Sequence, residues 1–321
     1  MVATTLAEKE SLGVSVDRED PTIRELIELG ERYDEIRAVI LTSSRTSATC
    51  DILSDYDAEL YVTDVARFAE HDEWFEAFGP VLVMLRLDGE ADDDPRRFRG
   101  VHYQDGTRID FQVVPVEALE KICEAPALPE GFDIGYEVLL DKDGITASLR
   151  PPTFRAFIPA APSEAEYASV VNGFWWNSTY APKSLWRGEV LASASWLDGI
   201  RQDFLRTMLE WSVEIERNWS WKTGIRGKGL DKVLDAETHR ELVAACGGGR
   251  IEEVWEALFA TISLFRKTAV GVAESLEYEY PYDLDARVTA YHRTISKLGP
   301  GLTCREELAR LLNESYGSLE P

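Results

Sequence analysis

Two aspartates one residue apart, Asp55 and Asp57, lead into the run DAELYVT (57–63), whose alternation and strand-forming residues predict a β-strand. Residues i and i+2 of a strand project from the same face, about 7 Å apart along the backbone. The two carboxylates can therefore converge on a hard divalent cation, which prefers oxygen ligands. A third acid, Asp110, stands in Arg108-Ile109-Asp110-Phe111 between apolar neighbours. A carboxylate in mid-strand costs free energy unless it has a partner, and if its strand lies beside 57–63 all three acids share one metal centre. Upstream, Ser43-Ser44-Arg45 follows an apolar run, with ten residues between Ser44 and Asp55. A polar loop leaving a strand can bind phosphate through backbone N–H groups, to which Ser44 adds a hydroxyl. Asp-x-Asp alone is common in turns; the joint pattern carries the information.

Other residues fit the same chemistry less specifically. Arg45 either steadies a phosphate or holds its own loop. Lys183 and Arg187 lie one helical turn apart and face either a triphosphate or solvent. Glu59 shares the strand face of Asp55 and Asp57 and either extends an acidic wall toward a cationic acceptor or is simply an exposed strand residue. GIRGKG (224–229) lacks the spacing of a Walker phosphate loop and follows no strand, so it reads as a helix–helix connection.

The elements that must position these groups fall into two halves. Residues 21–36 read as a helix capped by Asp20 with Pro21 in its first turn. RAVILTS (37–43) and VLVMLRL (81–87) read as strands. FRGVHYQ and TRIDFQVV, joined by Asp105-Gly106, read as a hairpin, and VEALEKICE (116–124) as a helix. DGEADDDPRR (88–97) is a solvated charge run. After Pro151-Pro152 only helical patterns remain, over about 163–180, 182–194, 195–217, 236–246, 251–277 and 284–313. Trp196, Ile200, Phe204, Met208, Trp211 and Ile215 recur at helical spacing and read as core. The expected class is α+β: an N-terminal mixed-sheet domain over 20–150, followed by an all-helical domain over 151–315.

Composition excludes several partners. The formal net charge is -24, which argues against nucleic acid and anionic membrane surfaces and suits either a cationic small molecule or plain solubility. The N-terminal residues lack a signal-peptide pattern and read as a polar tail, and no apolar run approaches the ~18 residues of a spanning helix. Cys50, Cys123, Cys246 and Cys304, and His71, His102, His239 and His292, follow no metal or redox spacing. A cytoplasmic protein with reduced thiols is expected; the oligomeric state stays open.

The run TSSRTSATCDILSDYDAELYVTD (42–64) resembles the signature of the DNA polymerase β-like nucleotidyltransferases. More closely it is similar to the aminoglycoside 6-adenylyltransferases, also called streptomycin adenylyltransferases. The likeness continues through RIDFQVVP, NGFWWNSTYAPKSLWRGE and WSWKTGIRGKGLDKVL and spans roughly residues 20–315. The metal motif is specific for the superfamily, and the run around Phe174-Trp175-Trp176 points to the narrower family.

That resemblance implies a nucleotidyltransferase domain and a helical domain with the site in a cleft between them. It implies ATP with Mg²⁺ as donor and AMP transfer to an aminoglycoside hydroxyl. It carries the phosphate-loop serine onto Ser44 and the catalytic and metal-binding carboxylates onto Asp55, Asp57 and Asp110. The reaction would be an in-line displacement at the α-phosphorus, with Asp55 and Asp57 bridging two Mg²⁺ ions and Asp110 completing one site or acting as general base. One departure matters: the superfamily usually has Gly-Ser where this chain has Ser43-Ser44. A side chain at 43 would crowd the triphosphate or alter the turn, and Ser43→Gly is expected to preserve or raise activity. Two other functions remain open, transfer to a different small molecule or a protein side chain, and a nucleotide-binding module that has lost catalysis.

Overall fold

The computed structural model describes residues 16–46, 50–88, 96–221, 223–299 and 302–318, with only the backbone of Ser44 and Asp88. The charge run 89–95 lies outside the described residues. The chain divides into two compact units, with the boundary between Phe157 and Ile158.

The first unit opens with helix α1 (Pro21–Arg32), where the Asp20 carboxylate accepts from the N–H groups of Thr22 and Ile23. The helix ends four residues earlier than the apolar pattern suggests. Tyr33 turns extended, and Ile36 opens the first strand instead. Strands β1 (Ile36–Thr42) and β2 (Tyr56–Val62) are followed by helix α2 (Val65–Glu70). Strands β3 (Val81–Asp88), β4 (Arg97–Tyr103) and β5 (Arg108–Pro115) lead into helix α3 (Val116–Glu124). A short helix α4 (Glu130–Asp133) and a last strand β6 (Tyr136–Asp141) complete the unit.

The sheet order is β3-β4-β5-β2-β1-β6. Only β2 and β5 run parallel; the other neighbours are antiparallel. β1 and β2 are central and buried on both faces, which explains why IRAVILT reads as a near-continuous apolar run. One face packs Val39, Leu41, Ala58, Leu60, Ile109 and Phe111 against α1 and α2. The other packs Ala38, Ile40, Tyr61 and Val114 against Leu119 of α3. Strand β6 escapes the apolar pattern because it is an edge strand, with mostly half-buried side chains.

The second unit contains no strand among its described residues. Its helices are α5 (Glu164–Ser178), α6 (Tyr180–Trp186), α7 (Val190–Ile200), α8 (Arg206–Glu216), α9 (Ala236–Ala245), α10 (Ile251–Leu276), α11 (Tyr282–Ser296) and α12 (Arg305–Gly317). Ser163 and Glu166 form a reciprocal capping box at the start of α5. The core is built around α10, where Phe265 stacks on Phe174 at 3.6 Å and buried Trp175 meets both rings edge-on.

Two expected helices divide differently. The break falls at Arg187–Glu189 rather than at 194/195, because Gly188 takes a left-handed φ of 73° and stops α6. From Val190 the chain then stays helical through Glu216, across a π-helical turn at Arg201–Leu205. The expected 284–313 helix is two, separated around Gly299. GIRGKG lies in short turns between α8 and α9, including Ile225–Gly227, as a connection should. Among the described residues, no helix is long and apolar enough to cross a membrane.

Candidate active site

Parallel register brings the aspartates together. Asp57 on β2 is directly opposite Asp110 on β5, and Tyr56 is opposite Ile109. Asp55 and Arg108 therefore form the adjacent row of the same face. On the other side of β2, Thr42 at the end of β1 is opposite Asp57, so the chain leaves β1 through Ser43 beside that carboxylate. Opposite Asp110 on β4 is Gly100. A Cβ there would lie 2.9 Å from the Phe98 ring and 3.3 Å from Asp110 Oδ1, so glycine leaves the Asp110 carboxylate its room.

The charges are unevenly compensated. Arg108 donates from Nε and Nη2 to the two oxygens of Asp110, at 3.1 and 2.9 Å, and its Nη1 is 3.3 Å from Asp55 Oδ2. Asp57 has no such ion pair among the described residues. Burial, and then repulsion from Asp110, push its carboxyl up to about 6, while the Ser43 hydroxyl and the charge of Arg108 pull the other way. Asp110 is 15% exposed and Asp55 37%. This is the uncompensated negative charge and oxygen donor set that suits a hard dication. The side chains are not already closed on a common point, however. Among the described residues, no three acidic, histidine or cysteine groups form a ready-made metal cage, because the Asp110 and Asp55 carboxylates are turned onto Arg108.

The Ser43–Thr46 turn lies beside this face. Ser43 has φ 67°, in the left-handed region that glycine adopts without strain. The side chain of Ser44 lies outside the described residues. Arg45 is seen holding its loop: Nη2 donates to the Ser54 carbonyl at 2.7 Å and the guanidinium sits 3.8 Å above the Tyr56 ring. The Tyr56 hydroxyl in turn donates to Asp20, the cap of α1, at 2.7 Å. Glu59 lies one step further along the face of Asp57 and accepts from the Tyr61 hydroxyl. Burial raises its carboxyl despite that bond and the nearby charge of Arg96.

In the helical unit, Lys183 is exposed on α6 with Nζ 4.7 Å from the Tyr180 ring, and Tyr180 stacks on Trp196 at 4.4 Å. Arg187 is exposed at the end of the same helix. Trp196 is 41% exposed, not core as its spacing suggests, and Trp176 is 69% exposed. The residues that sequence reasoning missed are Arg108 and Gly100. Arg108 had a signal, since it stands two residues before Asp110 on one strand face. Gly100 had none, since its role follows from strand pairing. Two open hollows, of about 510 Å³ beside Arg67 and Trp74 and about 760 Å³ beside Arg266 and Arg293, contain none of these candidate residues.

The sequence pattern of the streptomycin adenylyltransferase family matches residues 17–295. The chain is 31% identical to an aminoglycoside 6-adenylyltransferase of Bacillus subtilis (strain 168) over 264 residues, 80% of this chain and 90% of that protein. It is 26% identical to an aminoglycoside 6-adenylyltransferase of Campylobacter jejuni over 262 residues, 80% and 88% of the two chains. A crystal structure of an aminoglycoside 6-adenyltransferase from Bacillus subtilis is similar at 26% identity, covering 86% of this chain and 98% of that one, with a TM-score of 0.43.

Proposed function

The chain belongs to the streptomycin adenylyltransferase family, and on that premise we propose that it transfers AMP from ATP to a hydroxyl of a streptomycin-like aminoglycoside, releasing pyrophosphate and inactivating the antibiotic in the cytoplasm. The observation that carries the reading is the Asp57–Asp110 pairing, with Asp55 on the same face, in a chain whose family name specifies adenylyl transfer.

The acceptor oxygen forms a bond to the α-phosphorus as the bond from that phosphorus to the bridging oxygen of the β-phosphate breaks. The hydroxyl proton passes to a base, for which Asp110 is our candidate. Mg²⁺, held by Asp55, Asp57 and Asp110, would lower the pKa of the acceptor hydroxyl and stabilise the charge on the departing pyrophosphate. Ser43 keeps Asp57 oriented, and Gly100 gives Asp110 its space. The turn containing Ser44 offers backbone N–H groups to phosphate, with Arg45 acting through the loop it holds rather than as a direct ligand. Lys183 and Arg187 are our candidates for further phosphate contacts. The exposed faces of Trp176 and Trp196 suit ammonium or guanidinium groups of the acceptor, and Glu59 adds negative charge to the same strand face as the metal ligands. Most of the rate enhancement would come from positioning and charge stabilisation.

The test is pyrophosphate release with ATP and Mg²⁺ across a panel of aminoglycosides, beginning with streptomycin, and mass analysis of the product. A streptomycin-dependent signal with an AMP-sized mass increase is expected. Release with no cationic acceptor in the panel would move the assignment to a different acceptor.

A further inference from the structure

Arg108 is the cation that the carboxylate face already contains. Its planar fork engages both oxygens of Asp110, and its third nitrogen reaches Asp55 across the β2–β5 pairing. These are two of the three acids that the foregoing reading assigns to metal. Nothing in sheet formation demands an arginine here, because its side chain is 45% exposed and belongs to neither hydrophobic core. One guanidinium also cannot neutralise three carboxylates, and the ion pairs of Arg108 go to Asp55 and Asp110, leaving Asp57 without one among the described residues.

From these contacts we propose that Arg108 is a displaceable internal counter-ion. It holds Asp110 and Asp55 while the divalent cation is away and gives up their oxygens when the cation binds. A dication and a guanidinium carry the same sign of charge. They cannot both sit at bonding distance from the same few oxygens without strong repulsion. Metal occupancy and the position of Arg108 are therefore coupled and mutually exclusive. The guanidinium suits this part because it spans two carboxylates at once with fixed geometry, which a lysine ammonium cannot do. It also limits adventitious binding: a cation must outcompete an ion pair, so the face fills firmly only when triphosphate oxygens complete the coordination. This inference rests on the assignment of the three aspartates to metal.

The test is Mn²⁺ binding to the full chain without nucleotide, followed by the loss of the free-ion electron paramagnetic signal. Four proteins are compared: wild type, Arg108→Gln, Arg108→Lys and Asp57→Asn. Arg108→Gln should bind Mn²⁺ about fivefold more tightly, the scale of losing one partly exposed competing ion pair. Arg108→Lys should fall between it and wild type. Arg108→Gln should also gain more thermal stability from saturating Mn²⁺ than wild type does. Unchanged or weaker Mn²⁺ affinity in Arg108→Gln, with Asp57→Asn losing binding, overturns the counter-ion and leaves the metal site standing. Equal binding by Asp57→Asn and wild type overturns the metal assignment itself. If Arg108→Gln does not fold, the lysine variant decides: affinity equal to or below wild type then counts against the proposal.

Discussion

Each unit of this protein carries a mostly buried aspartate, and the two are treated in opposite ways. In the helical unit, Asp285 is 4% exposed, and every approach to it is filled. Arg266 donates to both its oxygens, the Tyr280 hydroxyl donates at 2.8 Å, and Thr289 donates at 2.9 Å while itself accepting from Arg266. In the sheet unit, Asp57 has one hydroxyl and a shared, more distant arginine against two neighbouring acids. A charge that the fold needs is fully compensated within the fold. A charge left short of partners, on strands that are otherwise well packed, is on our proposal available to an arriving cation.

The sharpest way to break this contrast is Asp57→Asn. Loss of a charged metal ligand should reduce adenylyl transfer on the order of 10³-fold or more, read by steady-state kinetics. Without metal the same variant should melt no lower than wild type at pH 8. The sign follows from its raised carboxyl: above about 6 the native state holds a charge that it disfavours, and a neutral amide removes that cost. A clear fall in Tm would mean that Asp57 is structural.

Asp285→Asn should do the reverse, destabilising the protein by about 3 to 5 kcal/mol through the unpaired Arg266. Urea denaturation followed by fluorescence of buried Trp175, beside that pair, would measure it. An effect below 1 kcal/mol would show that the contrast between the two units is one of geometry and not of energy.

A smaller effect separates the units by pH. His292 is fully buried, with Nε2 3.0 Å from the Ser178 carbonyl, and burial holds its pKa down to about 4. Because the folded pKa is below the ordinary value of 6.5, the unfolded chain takes up the proton first. Stability is lost as pH falls below 6.5 and the loss is complete only below about 4. At pH 5.5, still above the sequence pI of 4.6, the share of His292 is about 1.5 kcal/mol. His292→Gln keeps a donor toward Ser178 and should flatten that part of the stability profile between pH 7.5 and 5.5. An unchanged slope would assign the acid sensitivity elsewhere.

What could be read from the sequence follows the range of the interactions. Asp55 and Asp57 share a face because strand periodicity is local, and Asp110 stood out because an acid between Ile109 and Phe111 needs a reason. That β2 and β5 run parallel with Asp57 opposite Asp110 is non-local, and no pattern within either strand reports it. Hence Arg108 reaching Asp55 stayed hidden, although its place two residues before Asp110 was in view. The misreading of Trp196 has a local cause: a run of four-residue steps drifts from the helical repeat, leaving Trp196 and Met208 about 120° out of phase, and the buried residues of α7 are Ser193, Leu197 and Ile200. Gly188 ended a helix because its φ is positive, which the neighbouring apolar spacing concealed.

The smallest expected effect concerns Ser43, where two terms of similar size oppose each other. Its φ of 67° places a side chain in the left-handed region, at a cost of about 1 kcal/mol relative to glycine. Its hydroxyl favours the charged form of the Asp57 carboxylate, an interaction worth about 1 kcal/mol if it is a full hydrogen bond. A single substitution mixes the two, whereas a pair separates them. Ser43→Ala keeps the strain and loses the hydroxyl, so it should lower stability by about 1 kcal/mol. Ser43→Gly loses both and should return close to wild type. Activity of the glycine variant should stay within about threefold of wild type, because one neutral donor adds little once a cation holds Asp57. Equal stabilities for the alanine and glycine variants would show that the backbone at 43 is unstrained. A tenfold or larger fall in kcat for Ser43→Gly alone would place the hydroxyl at the reacting atoms, where it would complete the aspartate face directly instead of steadying one member of it.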